Sequence, residues 1–279
     1  MFKIIEKKVL NNTVSLMEIE APIIANKAKP GQFLILRVDK DGERIPLTIA
    51  DYNKENGTVT IIFQIVGSTT KQLNCLNEND YINDLVGPLG KASQLDNLNK
   101  VAVIGGGVGC AIAYPIAKYL NSQNTVVHSI IGFRNKELVI LKNEFEKISD
   151  KLILMSDDGS IGNKGLVTTA LERLIKSGEK YDKVIAIGPL VMMKSVSELT
   201  KKHNIKTTIS MNPIMIDGTG MCGGCRVTVG GKTKFACVDG PDFDGHLVNF
   251  DEAIYRSKMY KDFEKKSYEK TCNIFKGAN

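Results

Sequence analysis

The chain has 279 residues, of which 43% are apolar and 24% are charged. That balance is typical of a globular protein and excludes a disordered chain. Lysine plus arginine exceed aspartate plus glutamate by only 37 to 31, and tryptophan is absent, so a nucleic-acid-binding function has little support. No stretch approaches the roughly 18 consecutive apolar residues of a membrane span, which argues against insertion in a membrane.

The N-terminal segment MFKIIEKKVLNN carries four charged side chains and lacks the uninterrupted apolar stretch of a signal peptide. Six cysteines without a secretory signal indicate a reducing compartment. In such a compartment clustered thiols bind metal more often than they pair with each other. We therefore expect a cytoplasmic protein.

Residues 1–97 alternate short β-rich runs with turn signals. The runs are VSLMEIE, GQFLILRV, IPLTIADY and GTVTIIFQIV, and the turns are Pro30-Gly31, Asp41-Gly42 and Asn56-Gly57. Short strands separated by such turns predict an antiparallel β-barrel domain.

Residues 98–208 show a different pattern. Apolar strands (KVAVI, TVVHSIIGF, KLILM and KVIAI) alternate with helical stretches such as LVTTALERLIKSG. This alternation predicts an α/β domain with a doubly wound parallel sheet.

Residues 209–250 are rich in glycine and cysteine and are too few to bury a core of their own, so we expect a metal centre to stabilise them. A helical tail is predicted over 251–279, with Ile254, Met259 and Phe263 on one face. The predicted fold class is thus a β-barrel domain followed by an α/β domain and a small metal-binding segment.

Three cysteines in this segment, Cys222, Cys225 and Cys237, form the pattern C-x2-C-x11-C on a glycine-rich loop. Asp217 precedes the first by five residues. The set has the spacing of a plant-type [2Fe-2S] site with aspartate in place of the first cysteine. Two alternatives remain open: a zinc ion bound by the three cysteines and His246, or three reduced cysteines without a metal.

Four glycines, Gly105, Gly106, Gly107 and Gly109, lie between the strand KVAVI and a predicted helix. A strand, glycine turn and helix in this order present backbone N–H groups to a pyrophosphate. The spacing departs from G-x-G-x-x-G because Cys110 occupies the last glycine position, and a purely structural turn is an alternative.

The cysteines expected to have no functional part are Cys75 and Cys272.

Two further turns follow strands of the predicted parallel sheet. Asp157 and Asp158 come after KLILM, where their carboxylates can accept hydrogen bonds from ribose hydroxyls and would repel a 2′-phosphate. Gly188 and Pro189 come after KVIAI. Open α/β sheets bind ligands at the carboxyl ends of their strands, which makes both turns candidate nucleotide contacts. A solvated turn is the alternative for the aspartates.

The barrel half contains the run Arg44-Ile-Pro46-Leu47-Thr48, which joins a cation to a hydroxyl on one strand. An arginine can pair with a phosphate bidentately, and the Thr48 hydroxyl can reach a ring nitrogen. A second phosphate-binding candidate is the helix start formed by Gly67, Ser68, Thr69 and Thr70. Taken singly, the first motif is explained equally well by a surface arginine and the second by a helix cap.

The order of these motifs resembles the ferredoxin-reductase superfamily, in particular the branch of dihydroorotate dehydrogenase electron-transfer subunits and their relatives. The segment NPIMIDGTGMCGGCRVTVGGKTKFACVDGPDFDGH is similar to the small flavoprotein subunits of NADH-dependent ferredoxin:NADP oxidoreductases, also known as sulfide dehydrogenase subunits. Asp217 favours this subgroup, because the dihydroorotate branch uses four cysteines.

The resemblance implies FAD in the barrel, with Arg44 and the 67–70 turn at its phosphates and Thr48 beside the isoalloxazine as the catalytic residue. It also implies NAD(H) over the glycine turn and a [2Fe-2S] cluster on Asp217 and the three cysteines. Pro46 stands where the superfamily has a tyrosine. Cys110 would lie near the nicotinamide, where we expect a packing role.

The function implied is an exchange of hydride between NAD(H) and FAD, followed by transfer of single electrons through the cluster to another protein. The expected partner is a larger flavoprotein subunit that carries FAD and [4Fe-4S] clusters. Two alternatives differ in class or partner: an electron-transfer subunit of an NAD-dependent dihydroorotate dehydrogenase, and a zinc-stabilised nucleotide-binding module without redox activity.

Overall fold

A computed structural model of the chain describes residues 1–264 and residue 266. These residues form two seven-stranded sheets and one two-stranded hairpin. Within the described ranges, no helix is long and apolar enough to cross a lipid bilayer.

The first sheet is antiparallel and has the strand order β6-β1-β2-β5-β4-β3-β7. Its strands are β1 (Phe2–Asn11), β2 (Val14–Glu20), β3 (Phe33–Arg37), β4 (Arg44–Asn53), β5 (Thr58–Gln64), β6 (Tyr81–Ile82) and β7 (Asp84–Leu89), with helices α1 (Pro22–Lys27) and α2 (Ser68–Cys75) between them. Only Asn83 separates the two outermost strands in sequence, so the sheet edges meet in a nearly closed barrel.

Alternation along the strands fills the barrel. On β2, Met17 and Ile19 are fully buried and pack with Leu34 and Leu36 of β3. The predicted turns lie between strands, and Gly57 adopts φ +66°, a conformation that glycine reaches without strain. The predicted antiparallel barrel is confirmed.

The second sheet has the order β11-β10-β9-β8-β12-β13-β16 and is parallel except for β16. Its strands are β8 (Lys100–Gly106), β9 (Val126–Phe133), β10 (Lys151–Ser156), β11 (Asn163–Lys164), β12 (Lys183–Ile187), β13 (Thr207–Ser210) and β16 (Asp242–Asp244). The helices are α3 (Gly109–Ser122), α4 (Lys142–Ile148), α5 (Val167–Lys176) and α6 (Leu190–Lys202), with a 3-10 turn at Lys136–Leu138. The predicted doubly wound sheet is confirmed.

Both faces of this sheet are covered. Ile116 of α3 and Phe145 of α4 pack on one face, where Ala50 and Ile62 of the barrel join them. Helices α5 and α6 cover the other face, whose buried cluster extends to barrel residues and to Cys225 and Cys237. The barrel, the parallel sheet and the cysteine-rich segment therefore pack against one another.

The cysteine-rich segment contributes the hairpin β14 (Arg226–Val229) and β15 (Lys232–Phe235), strand β16 of the second sheet, and helix α7 (Phe250–Arg256). The hairpin turn is Gly230-Gly231, and both residues have positive φ. A segment predicted as a separate unit thus supplies the antiparallel edge strand of the α/β sheet. The division at residues 97, 208 and 250 stays a prediction.

The predicted helical tail is helical only in part. Helix α7 starts at Phe250, whose ring is buried, and the Asn249 side chain caps it by accepting the Glu252 N–H at 3.1 Å. A turn follows over 257–260, and Met259 and Phe263 are exposed. Of the predicted apolar face, Ile254 is half-buried and the other two residues are not packed in the described residues. Residues 265 and 267–279, which include Cys272, lie outside the described part of the chain.

Candidate functional site

A narrow cleft lies where the three parts of the chain meet. The barrel contributes Phe33, Pro46 and Thr48, and helix α3 contributes Ile112. The opposite wall consists of Ser210, Met211, Asn212, Met215 and Pro241. The structure thus brings the predicted barrel motif and the helix of the glycine turn to one space.

Strand alternation determines which residues of the barrel motif reach this cleft. Pro46 and Thr48 pair with Ile35 and Phe33 of β3 and line the cleft, whereas Leu47 packs against the barrel core. The Thr48 hydroxyl is therefore placed to contact a ring bound there. Leu47 supports the strand from inside.

Arg44, at the start of β4, is exposed and has no ion pair among the described residues. Its neighbour across the sheet, Arg37, is already engaged by Asp84, with Nε 2.7 Å from Oδ2. Glu43 accepts a hydrogen bond from the Thr69 hydroxyl at 3.1 Å, which holds the start of α2 beside the Arg44 segment. A free guanidinium and a helix N-terminus so placed fit a phosphate.

The side chains of the 67–70 turn mainly hold its backbone. The Thr70 hydroxyl oxygen accepts the N–H groups of Val66 and Gly67, each at 3.0 Å. Ser68 is the first residue of α2, and a Cβ at Gly67 would meet nothing within 4 Å. The groups left for a phosphate are thus the first-turn backbone N–H groups rather than the threonine hydroxyls.

The glycine turn joins β8 to α3 and is shaped for close approach. Gly107 has φ +55° and nothing within 4 Å of a Cβ position, so the turn is open above it. A Cβ on Gly109 would lie 2.4 Å from the Ile187 carbonyl oxygen, so only glycine lets α3 begin against β12. No side chain caps α3 at Val108. An open turn with an uncapped helix start fits a pyrophosphate.

The second glycine turn lies beside the first. Gly188 and Pro189 follow β12, which neighbours β8 at the point where the strand order reverses. A Cβ on Gly188 would lie 3.1 Å from the Cα of Gly106, so the two turns are in contact. Cys110 is fully buried under Gly105, and burial raises the pKa of its thiol well above the usual value. Its position supports a packing role.

The two aspartates after β10 differ in their contacts. The Asp158 carboxylate accepts the Ser160 N–H at 2.9 Å and the Ser160 hydroxyl at 2.7 Å, and these bonds lower its pKa. Asp157 is exposed, and its carboxylate has no hydrogen bond among the described residues. Asp158 therefore shapes the turn, and Asp157 is the carboxylate left for a ribose.

The candidate metal ligands form two pairs. Cys225 and Cys237 flank the hairpin, are buried, and have their sulfur atoms 3.2 Å apart. The Asp217 carboxylate accepts the Thr219 N–H at 2.9 Å and the Cys222 N–H at 2.8 Å. These bonds lower the pKa of Asp217 and keep the carboxylate ionised, as a metal ligand requires.

This arrangement bears on which metal the segment can hold. In the part of the chain that the structure describes, no three His, Cys, Asp or Glu side chains converge as a site for one ion. Two pairs fit a two-iron cluster, in which each iron takes two protein ligands. The zinc alternative is not supported, because the His246 Nε2 lies 3.0 Å from the Thr200 hydroxyl of α6 instead.

The sequence-based reasoning missed the wall of the cleft formed by Ser210, Met211, Asn212 and Met215. A signal was available, since the run MNPIM follows a strand of the parallel sheet at the edge where such sheets bind ligands. Pro241 had no such signal, because the pairing of β16 with β13 brings it to the cleft.

Comparisons with known proteins agree with this geometry. Residues 212–249 match the family model for the iron-sulfur cluster binding domain of dihydroorotate dehydrogenase B. The chain is 46% identical over 252 residues to the Thermotoga maritima homolog of the dihydroorotate dehydrogenase B (NAD(+)) electron transfer subunit, covering 90% of this chain and 89% of that protein. It is 52% identical over 275 residues to an uncharacterised protein of the adh 3′ region of Clostridium beijerinckii, covering 96% and 93%.

Among solved structures, a chain of an NADH-dependent reduced ferredoxin-NADP oxidoreductase superposes with a TM-score of 0.91 at 43% identity and covers 97% of both chains. The expectations of an oxidoreductase subunit that transfers electrons with a larger partner, and of FAD, NAD(H) and a [2Fe-2S] cluster as its cofactors, are confirmed for the family. The chain belongs to the family of dihydroorotate dehydrogenase B electron transfer subunits and their homologues, with a ferredoxin-reductase-like fold.

Proposed function

We propose that the chain is the NAD(H)-reactive subunit of a two-subunit complex of the ferredoxin:NADP oxidoreductase type. The observation that carries this proposal is the shared cleft, in which Thr48 of the barrel faces Ile112 of the glycine-turn helix and Asn212. The segment of the candidate cluster ligands packs onto the same barrel strands, since a Cβ on Gly218 would lie 2.7 Å from Ile35. Flavin, nicotinamide and cluster sites would thus be neighbours.

Bound FAD would exchange a hydride with NAD(H) and pass single electrons to the [2Fe-2S] cluster. The residues of the chain bind and orient these groups. Arg44 and the start of α2 hold the flavin phosphates, and Thr48 orients the ring. The glycine turn admits the pyrophosphate of NAD(H), while Asp157 accepts the ribose hydroxyls.

The cluster is held by Asp217 and Cys222 on one side and by Cys225 and Cys237 on the other. Each ligand must be deprotonated to bind iron, and Asp217 already is. Cys222 is exposed, so this side of the cluster would face outward from the chain.

The partner is a larger flavoprotein subunit that carries FAD and [4Fe-4S] clusters. The partner docks on a surface of this chain that we call the apolar rim. The rim consists of Ile214, Ile216 and Met221, which are exposed by 43%, 55% and 90%. Exposed apolar side chains beside an outward-facing redox centre are typical of a protein–protein interface, because the bound partner excludes water from them. The five cysteines in the described part of the chain are all free, which supports a location in the reducing cytoplasm.

A second candidate is the electron-transfer subunit of an NAD-dependent dihydroorotate dehydrogenase, which the family match over residues 212–249 favours. Asp217 argues against this candidate, because the dihydroorotate branch is expected to bind its cluster through four cysteines. Reconstitution with each type of partner subunit discriminates the two candidates, because only the true partner will accept electrons from NADH through this chain.

The first test is a visible spectrum of the purified chain during anaerobic titration with NADH. We expect flavin bands over broad cluster absorption, both bleached by NADH. A colourless, zinc-containing protein would overturn the proposal.

A second test concerns the flavin phosphates. Arg44→Ala should weaken FAD binding by about 1.5–3 kcal/mol, roughly 10- to 100-fold. Lys40→Ala, an exposed cation in the same loop, is the control and should bind FAD like the unsubstituted chain.

A further inference from the structure

Asp242 is a half-buried residue whose carboxyl group lies where the three parts of the chain join. It lies on β16 and pairs with Ser210 of β13. Its Oδ2 accepts the hydroxyl of Ser93, in the segment between barrel and sheet, at 2.5 Å. Its Oδ1 is buried and has no hydrogen-bond partner among the described residues. A buried carboxyl oxygen without a hydrogen-bond donor strongly disfavours the ionised form of the group relative to the protonated form.

Few groups compensate that charge. The Ser93 and Ser210 hydroxyls and the charge of Lys183 on β12 lower the pKa of Asp242, but burial outweighs them and raises it. The Lys183 ammonium donates to the Gln94 carbonyl oxygen at 2.8 Å and forms no ion pair with Asp242 in the described part of the chain. The remaining acid of the strand, Asp244, is exposed and accepts the His246 N–H.

The carboxyl lies directly behind the wall of the cleft. Its strand partner Ser210 and its chain neighbour Pro241 both line the cleft. The Met211 N–H donates to the Pro241 carbonyl oxygen at 2.9 Å, which fixes the two segments together. A charge change in the cleft therefore acts on Asp242 through low-dielectric protein rather than through water.

We propose that Asp242 is a redox-linked proton site of this cleft, taking up a proton when the bound flavin is reduced and releasing it when the flavin is reoxidised. The inference rests on the proposed function, since it needs the flavin in the cleft. A hydride from NADH delivers two electrons and one proton and leaves the flavin with one more negative charge. One further proton from solvent then neutralises the Asp242 carboxylate. When both electrons leave through the cluster, both protons return to solvent.

Asp242 is a positioning residue in this scheme, because it acts on the flavin through Ser210 and through its charge. Its protonation offsets the added negative charge and stabilises the reduced flavin. The linkage has a quantitative signature. Flavin reduction takes up two protons per two electrons over the pH window in which Asp242 is ionised beside the oxidised flavin and protonated beside the reduced one. Outside that window, at pH values where the reduced flavin stays anionic, reduction takes up one.

The test is a potentiometric titration of the flavin in the full-length, cofactor-loaded chain at a series of pH values. We expect the dependence of potential on pH to double in slope over one window for the unsubstituted chain. Asp242→Asn should keep the single-proton slope over that window, wherever the reduced flavin stays anionic. Ser210→Ala removes a hydroxyl that stabilises the carboxylate, so the window should move to higher pH. Asp244→Asn, two residues away and exposed, should leave the window unchanged.

Each remaining result overturns a defined statement. A flavin that NADH reduces, with a one-proton slope at every pH in the unsubstituted chain, overturns this inference and leaves the proposed function intact. The same follows if Asp242→Asn keeps the two-proton window, or, where that variant does not fold, if Ser210→Ala fails to move it. A chain that binds no flavin overturns both.

Discussion

Cys225 and Cys237 hold their sulfur atoms 3.2 Å apart across the base of the β14–β15 hairpin, although eleven residues separate them in sequence. Both sulfurs are buried, and burial, followed by the neighbouring Cys225 thiol, raises the pKa of Cys237 to about 12. Two thiols this close are ready either to share a metal or to oxidise to a disulfide. The outcome outside a reducing environment depends on whether the cluster is in place.

From this pair we predict that the cluster-free chain, exposed to dissolved oxygen, forms a Cys225–Cys237 disulfide and gives up two electrons and two protons to the oxygen. Because the thiolate is the attacking species, oxidation should be slow at neutral pH and faster as pH rises toward the raised pKa of Cys237. Thiol titration and peptide mapping should show the loss of two of the six thiols. Cys75→Ser, at an exposed cysteine, should not alter this loss. A disulfide mapped to any other pair would contradict the prediction.

The second prediction concerns the role of Asp217 as a cluster ligand. Asp217→Ala should make the cluster labile, while FAD stays bound because its barrel site shares no residue with the cluster loop. Asp217→Cys should retain the cluster with an altered potential and electron-paramagnetic-resonance spectrum, since a thiolate is a softer ligand than a carboxylate. If both variants leave the spectrum and potential unchanged, Asp217 is not a ligand.

The pH dependence of the cluster follows from the hydrogen bonds of Asp217. Its pKa is held below the ordinary 3.8 by the N–H groups of Thr219 and Cys222. The folded loop therefore favours the ionised ligand, and this contribution is lost only as pH falls through the lowered pKa. Cluster absorbance should persist to a lower pH than a free aspartate would allow. Loss of the cluster already at the ordinary pKa would show that these bonds do not hold the ligand.

Motifs that are contiguous in sequence were predictable, and contacts made by distant pairing were not. The run from Arg44 to Thr48 lies on a single strand, and each of the two glycine turns directly follows a strand, so the local pattern was sufficient. Pro241 reaches the cleft, and Asp242 lies behind its wall, only because β16 pairs with β13, about thirty residues earlier. Strand β1 was also missed, because the charges in FKIIEKKVLN obscure its alternation, although Ile4 is fully buried.

The nucleotide preference is the fourth prediction. We expect NADH to be favoured over NADPH by at least ~1.4 kcal/mol, about tenfold in relative efficiency, because the Asp157 carboxylate would repel a 2′-phosphate. Asp157→Ser should reduce this preference in a dye-reduction assay with both nucleotides. Asp158→Ser should instead weaken both, since that carboxylate holds the turn through Ser160. Equal rates with both nucleotides in the unsubstituted chain would refute the assignment.

The apolar rim supplies the last prediction. Met221 is 90% exposed and is adjacent to Cys222, and burying a methionine side chain is worth roughly 1.5–3 kcal/mol. Met221→Ala should therefore weaken binding of the larger subunit by about 10- to 100-fold, and Met221→Asp should weaken it further by burying a charge. Calorimetry with the purified partner measures both effects.

Val9 offers a matched control for the rim, because it is 70% exposed on β1, outside the cysteine-rich segment. Val9→Asp should leave partner binding unchanged. NADH-dependent dye reduction by the isolated chain should be the same for all three variants, since none of them touches the cleft. If Met221→Asp binds the partner as tightly as the unsubstituted chain, the subunit docks on another surface, and electrons must leave the cluster by a path that does not cross the rim.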